Sequence, residues 1–236
     1  MFNLYYSCFV KSLLITVCAL IIPSSALGEI KATKYPELEE RDGLYYQRKS
    51  QIPFTGKTIN SHKGRKFTGT FKKGKRNGLW LYYHSNGQSK ASGKFKDGKY
   101  HGYWTWHFPN GELKSNGPYK DGKYDGYWVS YYQNGQLRWE GVYVRGKKVG
   151  PWAYYYPDGQ LVEKSKYMYE QPGVQVGLFV KYHMNGQLME QGQYMNGKKD
   201  GAWVFYEEDG TKRFFSSKFG TDEGTGIYKN GIKISE

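Results

Sequence analysis

The chain has 236 residues, 38% of them hydrophobic, with 24 Tyr, 31 Gly and a formal net charge of +14. So few aliphatic residues exclude a large alkane-like core, while an aromatic fraction of 18% favours buried rings with wet polar tips. Glycine at this frequency excludes long helices and points to many positions with φ above zero.

The first element is a leader. Lys11 is the only charged side chain before Glu29, and an apolar run extends from Leu13 to Ile22. Pro23 ends the run, and Ser24, Ser25, Ala26, Leu27 and Gly28 offer a small-residue cleavage site. Residues 1–28 are therefore expected to be a signal peptide and the chain to be exported, to the periplasm, the cell envelope or the medium. The run is short for a membrane span; because Phe2–Val10 is also apolar, an uncleaved anchor is the alternative. Val17, preceding Cys18, speaks against a lipoprotein. Both cysteines, Cys8 and Cys18, lie in this segment, which leaves the mature chain without disulfides or thiolate metal sites. Losing Lys11 takes the 35 basic residues to 34, against 21 acidic, a net +13. That charge suits anionic partners, and export argues against nucleic acid among them.

Residues 29–42, with Pro36 and the charged run Glu37–Asp42, read as a linker. Residues 43–236 read as a repeat array. Gly43–Tyr46 and Phe54–Lys57 resemble strand fragments of an eroded first unit, and Phe67–Phe71 matches the later segment Ala91–Phe95. Six units follow, marked by a glycine before an apolar pair: Gly78-Leu79-Trp80, Gly102-Tyr103-Trp104, Gly126-Tyr127-Trp128, Gly150-Pro151-Trp152, Gly177-Leu178-Phe179 and Gly201-Ala202-Trp203. The spacings are 24, 24, 24, 27 and 24 residues. Asn86-Gly87, Asn110-Gly111, Asn134-Gly135, Asp158-Gly159, Asn185-Gly186 and Asp209-Gly210 keep the same step, as do Gly74, Gly98, Gly122, Gly146, Gly173 and Gly197.

Each unit reads as a hairpin and a return turn. Tyr127–Tyr132 is rich in strand formers, Asn134-Gly135 is expected to make a type I′ turn, and Gln136–Tyr143 returns. The fold class expected is all-β: an elongated single antiparallel sheet of tandem hairpins with a period of 24 residues. Each unit would advance about 10 Å. One insertion, Met168–Val176, lengthens one return turn, and Tyr228–Gly231 resembles a final return turn after an irregular stretch.

At this point the residues resemble a known family. Tyr119-Lys120-Asp121-Gly122-Lys123-Tyr124-Asp125-Gly126-Tyr127-Trp128 looks like the core of a MORN repeat, and Tyr131–Leu137 is similar to the extension of its bacterial variant. The resemblance covers about residues 43–233. It implies membrane or phospholipid attachment or protein scaffolding, and for some bacterial members an antitoxin role; it implies no shared catalytic residues.

The candidate chemistry is correspondingly sparse. His84 and His183 share an offset with Phe108, Tyr132, Tyr156 and Glu207, which marks a packing slot, and His62, His101 and His107 complete no zinc spacing. Turn carboxylates such as Asp97, Asp121 and Asp125 are common for backbone reasons. No catalytic residue, cofactor site or metal site is expected. Lys75, Lys99, Lys123, Lys147 and Lys198 follow the turn glycines at one offset and form a candidate ladder for an anionic partner, with Lys94, Lys96, Lys120, Lys148 and Lys199 thickening it. Lysines there also solvate turns and discourage edge pairing. Trp80, Trp104, Trp128, Trp152 and Trp203 read as inter-unit core, whereas Trp106 and Trp139 occur once each and are candidates for partner contact. The function expected is that of an exported, non-enzymatic scaffold binding a protein or envelope partner, with attachment to an anionic lipid headgroup or polymer, or toxin neutralisation, as alternatives.

Overall fold

The structure is a computed structural model and describes residues 37–62, 65–214 and 224–235. The leader expected over residues 1–28 lies outside them. Every regular element described is a strand. The first two, β1 (Leu38–Arg41) and β2 (Leu44–Gln47), form a small separate hairpin. Then come β3 (Gly56–His62), β4 (Arg65–Lys72), β5 (Lys75–Tyr83), β6 (Ser89–Lys96), β7 (Lys99–His107), β8 (Leu113–Lys120), β9 (Lys123–Tyr124) and β10 (Gly126–Tyr131). The series continues with β11 (Leu137–Val144), β12 (Lys147–Tyr155), β13 (Leu161–Tyr167), β14 (Gly177–Tyr182), β15 (Leu188–Met195), β16 (Lys198–Phe205), β17 (Gly226–Lys229) and β18 (Ile232–Ser235). From β3 to β18 the strands form one 16-stranded antiparallel sheet in sequence order, except that the short β9 pairs only with β8 and β10 pairs with β8 directly. The single antiparallel meander expected from the 24-residue period is what the chain forms.

Glycine and tryptophan together explain how one sheet layer can bury large rings. Trp80, Trp104, Trp128, Trp152 and Trp203 are 1–2% exposed, and each pairs across the ladder with a glycine or lies over one. A Cβ built on Gly69, Gly93, Gly117, Gly141 or Gly192 would stand 2.1–2.3 Å from the indole of the following strand. The missing side chain is the seat of the ring. Four indoles also donate Nε1–H to a carbonyl of the glycine's own strand: Trp80 to Thr70 at 3.1 Å, Trp104 to Lys94 at 2.9 Å, Trp128 to Pro118 at 2.9 Å and Trp203 to Gln193 at 3.1 Å. Burying such a ring is worth about 5 kcal/mol before entropy is subtracted. Where Phe179 replaces Trp, the preceding strand carries Ser165 at the offset that is glycine in the other units, while Gly192 of the following strand pairs with Phe179. The smaller ring leaves room for a side chain.

Two expectations about the backbone are corrected. The type I′ geometry belongs to the return turns, where both central residues have positive φ: Asp97 and Gly98 at 50° and 83°, Asp121 and Gly122 at 52° and 82°, Arg145 and Gly146 at 50° and 83°. At Asn86-Gly87 and its equivalents only the glycine is left-handed. There His84 N–H bonds Gln88 O at 2.8 Å and Gly87 N–H bonds His84 O at 3.0 Å, a three-residue loop built on a type I turn with a left-handed glycine. The asparagine is retained for its side chain: Asn86 Nδ2 donates to Pro109 O at 2.7 Å and Asn134 Nδ2 to Pro157 O at 2.6 Å, both in the next unit. The strands, moreover, begin at the lysine after the turn and pass through Gly78, Gly102 and Gly150, whose positive φ accompanies register shifts at Thr68/Thr70, Gly93/Lys94 and Gly141/Val142. Such bulges bend a strand and increase its twist.

The stretch read as a linker contains β1. Leu38 packs with Tyr45 and Phe54 against the first core cluster, and Tyr45 N–H and Phe54 O bond Gly74 at 2.9 and 2.7 Å, so the end of the array is capped. At the other end Asn230-Gly231, at 50° and 86°, makes the last return turn and Trp203 pairs with Gly226.

Candidate functional site

The return-turn edge is built by repetition. The turn glycine of each unit donates its N–H to a carbonyl of the unit before: Gly98 to Arg76 at 2.8 Å, Gly122 to Tyr100 at 3.0 Å, Gly146 to Tyr124 at 2.8 Å, and Gly173, inside the insertion, to Lys148 at 2.8 Å. The stems of the ladder lysines lie on these glycines, with Lys75 Cβ 3.8 Å from the Gly98 Cβ position, Lys99 3.7 Å from Gly122, Lys123 3.7 Å from Gly146, Lys147 3.9 Å from Gly173 and Lys198 3.7 Å from Gly231. All five are exposed, so stems pack while ammonium groups stay in water. At the fifth position Val174 takes the lysine's place against Gly197.

At the middle of this edge is an open depression of about 640 Å³ lined by Lys99, Lys120, Lys123, Arg145, Asp121, Asp125 and Val144. Asp125 is engaged, accepting the Arg145 backbone N–H at 3.1 Å. Beside it a second hollow of about 330 Å³ is lined by Tyr100, Tyr119, Tyr124, Lys123, Gly122 and Gly146. These tyrosines belong to a stair of rings, Phe95–Tyr100–Tyr119–Tyr124–Tyr143, with successive centroids 4.6, 4.9, 4.9 and 5.0 Å apart. That step matches the strand spacing. The stair was missed in the sequence, although an aromatic two residues before the turn Asp or Arg and another three after it was there to be seen.

Lys148 and Lys199 do not thicken the ladder. Their slots are the ones Tyr100 and Tyr124 fill elsewhere, on the core face, because a strand's alternation turns the second residue after the turn glycine inward. Lys148 Nζ lies 4.8 Å from the Trp152 ring and donates to Tyr154 Oη; Lys199 Nζ lies 4.6 Å from Trp203 and 3.8 Å from Glu190. Burial lowers the Lys148 pKa, opposed in part by Glu163. Trp106 and Trp139 also have counterparts. Trp106 stacks on Trp104 at 5.6 Å as Tyr82 does on Trp80 and Tyr154 on Trp152, and Trp139 stacks on Trp152 at 5.6 Å as Phe67 does on Trp80 at 5.7 Å. Both are half-buried in the ring row.

The shared histidine offset is an inter-unit clamp. His84 Nε2 donates to His107 O and His183 Nε2 to Tyr206 O, each at 2.9 Å, while Tyr132 and Tyr156 Oη reach Tyr155 O and Tyr182 O at 2.8 and 3.0 Å. Among the described residues no group of three His, Cys, Asp or Glu is placed to hold a metal.

Burial sets the phenol chemistry. It raises Tyr82 to about 12, and with hydrogen bonds to Tyr124 and Glu140 it raises Tyr119 and Tyr127 well above the usual phenol range; Tyr154 is raised mainly by burial. A phenol whose folded pKa exceeds its unfolded value stabilises the fold below pH of about 10 and loses that contribution as pH rises through the folded pKa. Tyrosinate absorbance should therefore rise in two phases, exposed tyrosines first and the buried set together with unfolding near pH 12. A single phase near pH 10, with circular dichroism unchanged, would contradict this placement.

The family model described as the MORN repeat variant matches residues 76–97, 100–121, 124–144, 148–168 and 175–196. Each match begins directly after a ladder position. Among solved structures the chain is similar to a GtfA/B complex bound to UDP and GlcNAc, at 14% identity, covering 77% of this chain and 28% of that one, with a TM-score of 0.18. So low a score supports no shared fold or activity, and this chain spans little more than a quarter of that protein's length. No match was found among curated proteins. With five consecutive matches whose boundaries fall on the hairpin units of the sheet, the chain belongs to the MORN-repeat family, in its variant form.

Proposed function

We propose that this chain is an exported, non-catalytic scaffold that holds an acidic partner of the cell envelope along its return-turn edge. One observation carries the reading: the sheet repeats a lysine at about 10 Å intervals, with each stem seated on the next unit's glycine. Four cations, Lys99, Lys120, Lys123 and Arg145, converge on one depression there. Export rests on the apolar leader and on a mature chain without cysteine. Binding of the full chain to immobilised envelope material should fall steeply between low and high salt, because surface charges are screened beyond about 10 Å at ordinary ionic strength. Lys99→Gln with Lys123→Gln should weaken low-salt binding about tenfold while leaving the fold unchanged, since both side chains are exposed. Binding indifferent to salt and to both substitutions would discard the lysine edge. A leader fusion of residues 1–30 retained in the cytoplasm would discard export.

A second reading, a protein partner on the opposite face, is favoured by Leu79, Tyr103, Tyr127 and Leu178. These share one offset and are 51–71% exposed. Salt-insensitive binding abolished by Tyr103→Ser with Tyr127→Ser would select it.

A further inference from the structure

We infer that the acidic partner is an extended polysaccharide carrying uronate carboxylates, bound with its charged groups on Lys99 and Lys123 and its sugar rings against Tyr100, Tyr119 and Tyr124. The inference rests on the lysine-edge reading and specifies its ligand.

Three observations point to it. The first is adjacency. The cationic depression and the tyrosine-lined hollow share Lys123, so a chain bound around the return-turn edge meets the ammonium groups of one face and the half-buried phenols of the other. A phenol offers apolar carbon together with a hydroxyl that donates and accepts, which matches the mixed C–H and O–H surface of a sugar. A phosphate polymer has nothing to set against those rings.

The second is the presence of acceptors. Asp121, at a left-handed turn position, and Asp125, which already accepts the Arg145 N–H through Oδ1, both line the cationic depression. Four cations are thus accompanied by two carboxylates. Polyphosphate has only acceptor oxygens to set against these groups, and a flat bilayer would leave the hollow unfilled. A polyhydroxylated chain uses carboxylates as acceptors for its hydroxyls.

The third is repeat length. Lysines recur once per hairpin unit, about 10 Å apart, which is close to the length of an extended disaccharide. Phenols recur at half that interval, one per strand. The lysines from Lys75 to Lys147 therefore span about 30 Å, so an oligosaccharide should gain affinity with length until it covers that distance and then level off.

The experiment is calorimetric titration of the full chain with four probes: an oligogalacturonate length series, the same oligomers as neutral methyl esters, inorganic polyphosphate, and vesicles containing anionic phospholipid. The acidic oligomers should bind with affinity rising with length, and esterification should weaken them about tenfold or more, as loss of charge-assisted bonds does. Lys99→Gln with Lys123→Gln should do the same, and Tyr100→Phe or Tyr124→Phe, which keep the stacked rings, should weaken binding a few-fold. Esters that bind equally well, or affinity without length dependence, would overturn the inference. Lysine-dependent binding of polyphosphate or vesicles, without binding of the acidic oligomers, would overturn it while leaving the lysine-edge reading intact. Failure of every anionic probe would remove both.

Discussion

Gly93→Ser should destabilise the protein by on the order of 3 kcal/mol, at the upper end of what overpacking a close-packed interior usually costs. The added Cβ would stand 2.2 Å from Cδ2 of Trp104, and the atom in its way belongs to a rigid bicyclic ring, not to the end of a flexible chain. Trp104 has nowhere to move: Phe95, Tyr100 and Trp106 lie 5.0, 4.6 and 5.6 Å from it by ring centroid. The chain contains its own version of this change: buried Ser165, paired with Trp152, stands at the glycine offset in the unit that is followed by Phe179 in place of a tryptophan. Trp104→Phe should therefore rescue part of the loss in Gly93→Ser, leaving the double variant more stable than the two single losses add up to by about 1 kcal/mol or more. Denaturant midpoints of the four proteins measure this. Strict additivity would mean that ring and glycine do not recognise one another.

Trp128→Ala should cost about 3–5 kcal/mol, the usual range for deleting a buried aromatic ring. The indole is 1% exposed, touches Tyr124 and Tyr119 with centroids 4.1 and 5.1 Å away, and donates to Pro118 O at 2.9 Å. It joins β8 to β10, where a break in β9–β10 at Asp125 already thins the backbone pairing to Val129↔Asn116 and Ser130↔Ser115. Stability in a repeat array is carried by such neighbour interfaces. The substituted protein should therefore show a lower midpoint with a broadened transition as the two halves uncouple. A loss under about 1 kcal/mol would mark Trp128 as a surface ring.

What the sequence made legible was whatever repeats at a single offset. The period, the buried tryptophans and the lysine ladder each need only the same residue type to recur every 24 positions. What it concealed depends on relations between offsets. Asn-Gly and Asp-Gly both satisfy type I′ preferences, and the choice is made by loop length: a three-residue loop closes on Gln88, while Asp97-Gly98 joins strands that pair up to Lys96↔Lys99. Non-glycine residues such as Lys73 and Arg145 hold φ of 49° and 50°, a left-handed conformation that their side chains do not advertise. The tyrosine stair draws on both strands of each hairpin, so no single offset displays it. Lys148 and Lys199 resemble ladder lysines in composition but lie one residue further along, and in a strand that one step changes the face. Trp106 and Trp139 look idiosyncratic because their slots accept Tyr82, Tyr154 and Phe67 in other units; shape is conserved along the array where identity is not.

The modular character of the sheet is tested most directly by removing one whole unit, residues 99–122, which joins Gly98 to Lys123 and brings Trp128 over Gly93. Because each unit contacts only its neighbours, the shortened chain should remain folded, unfold in a single transition with a denaturant slope reduced in proportion to the surface removed, and bind acidic oligomers more weakly through the loss of Lys99, Tyr100 and Tyr119. A shortened chain that is unfolded, or that binds as tightly as the full one, would contradict a scaffold assembled from stacked, interchangeable hairpins.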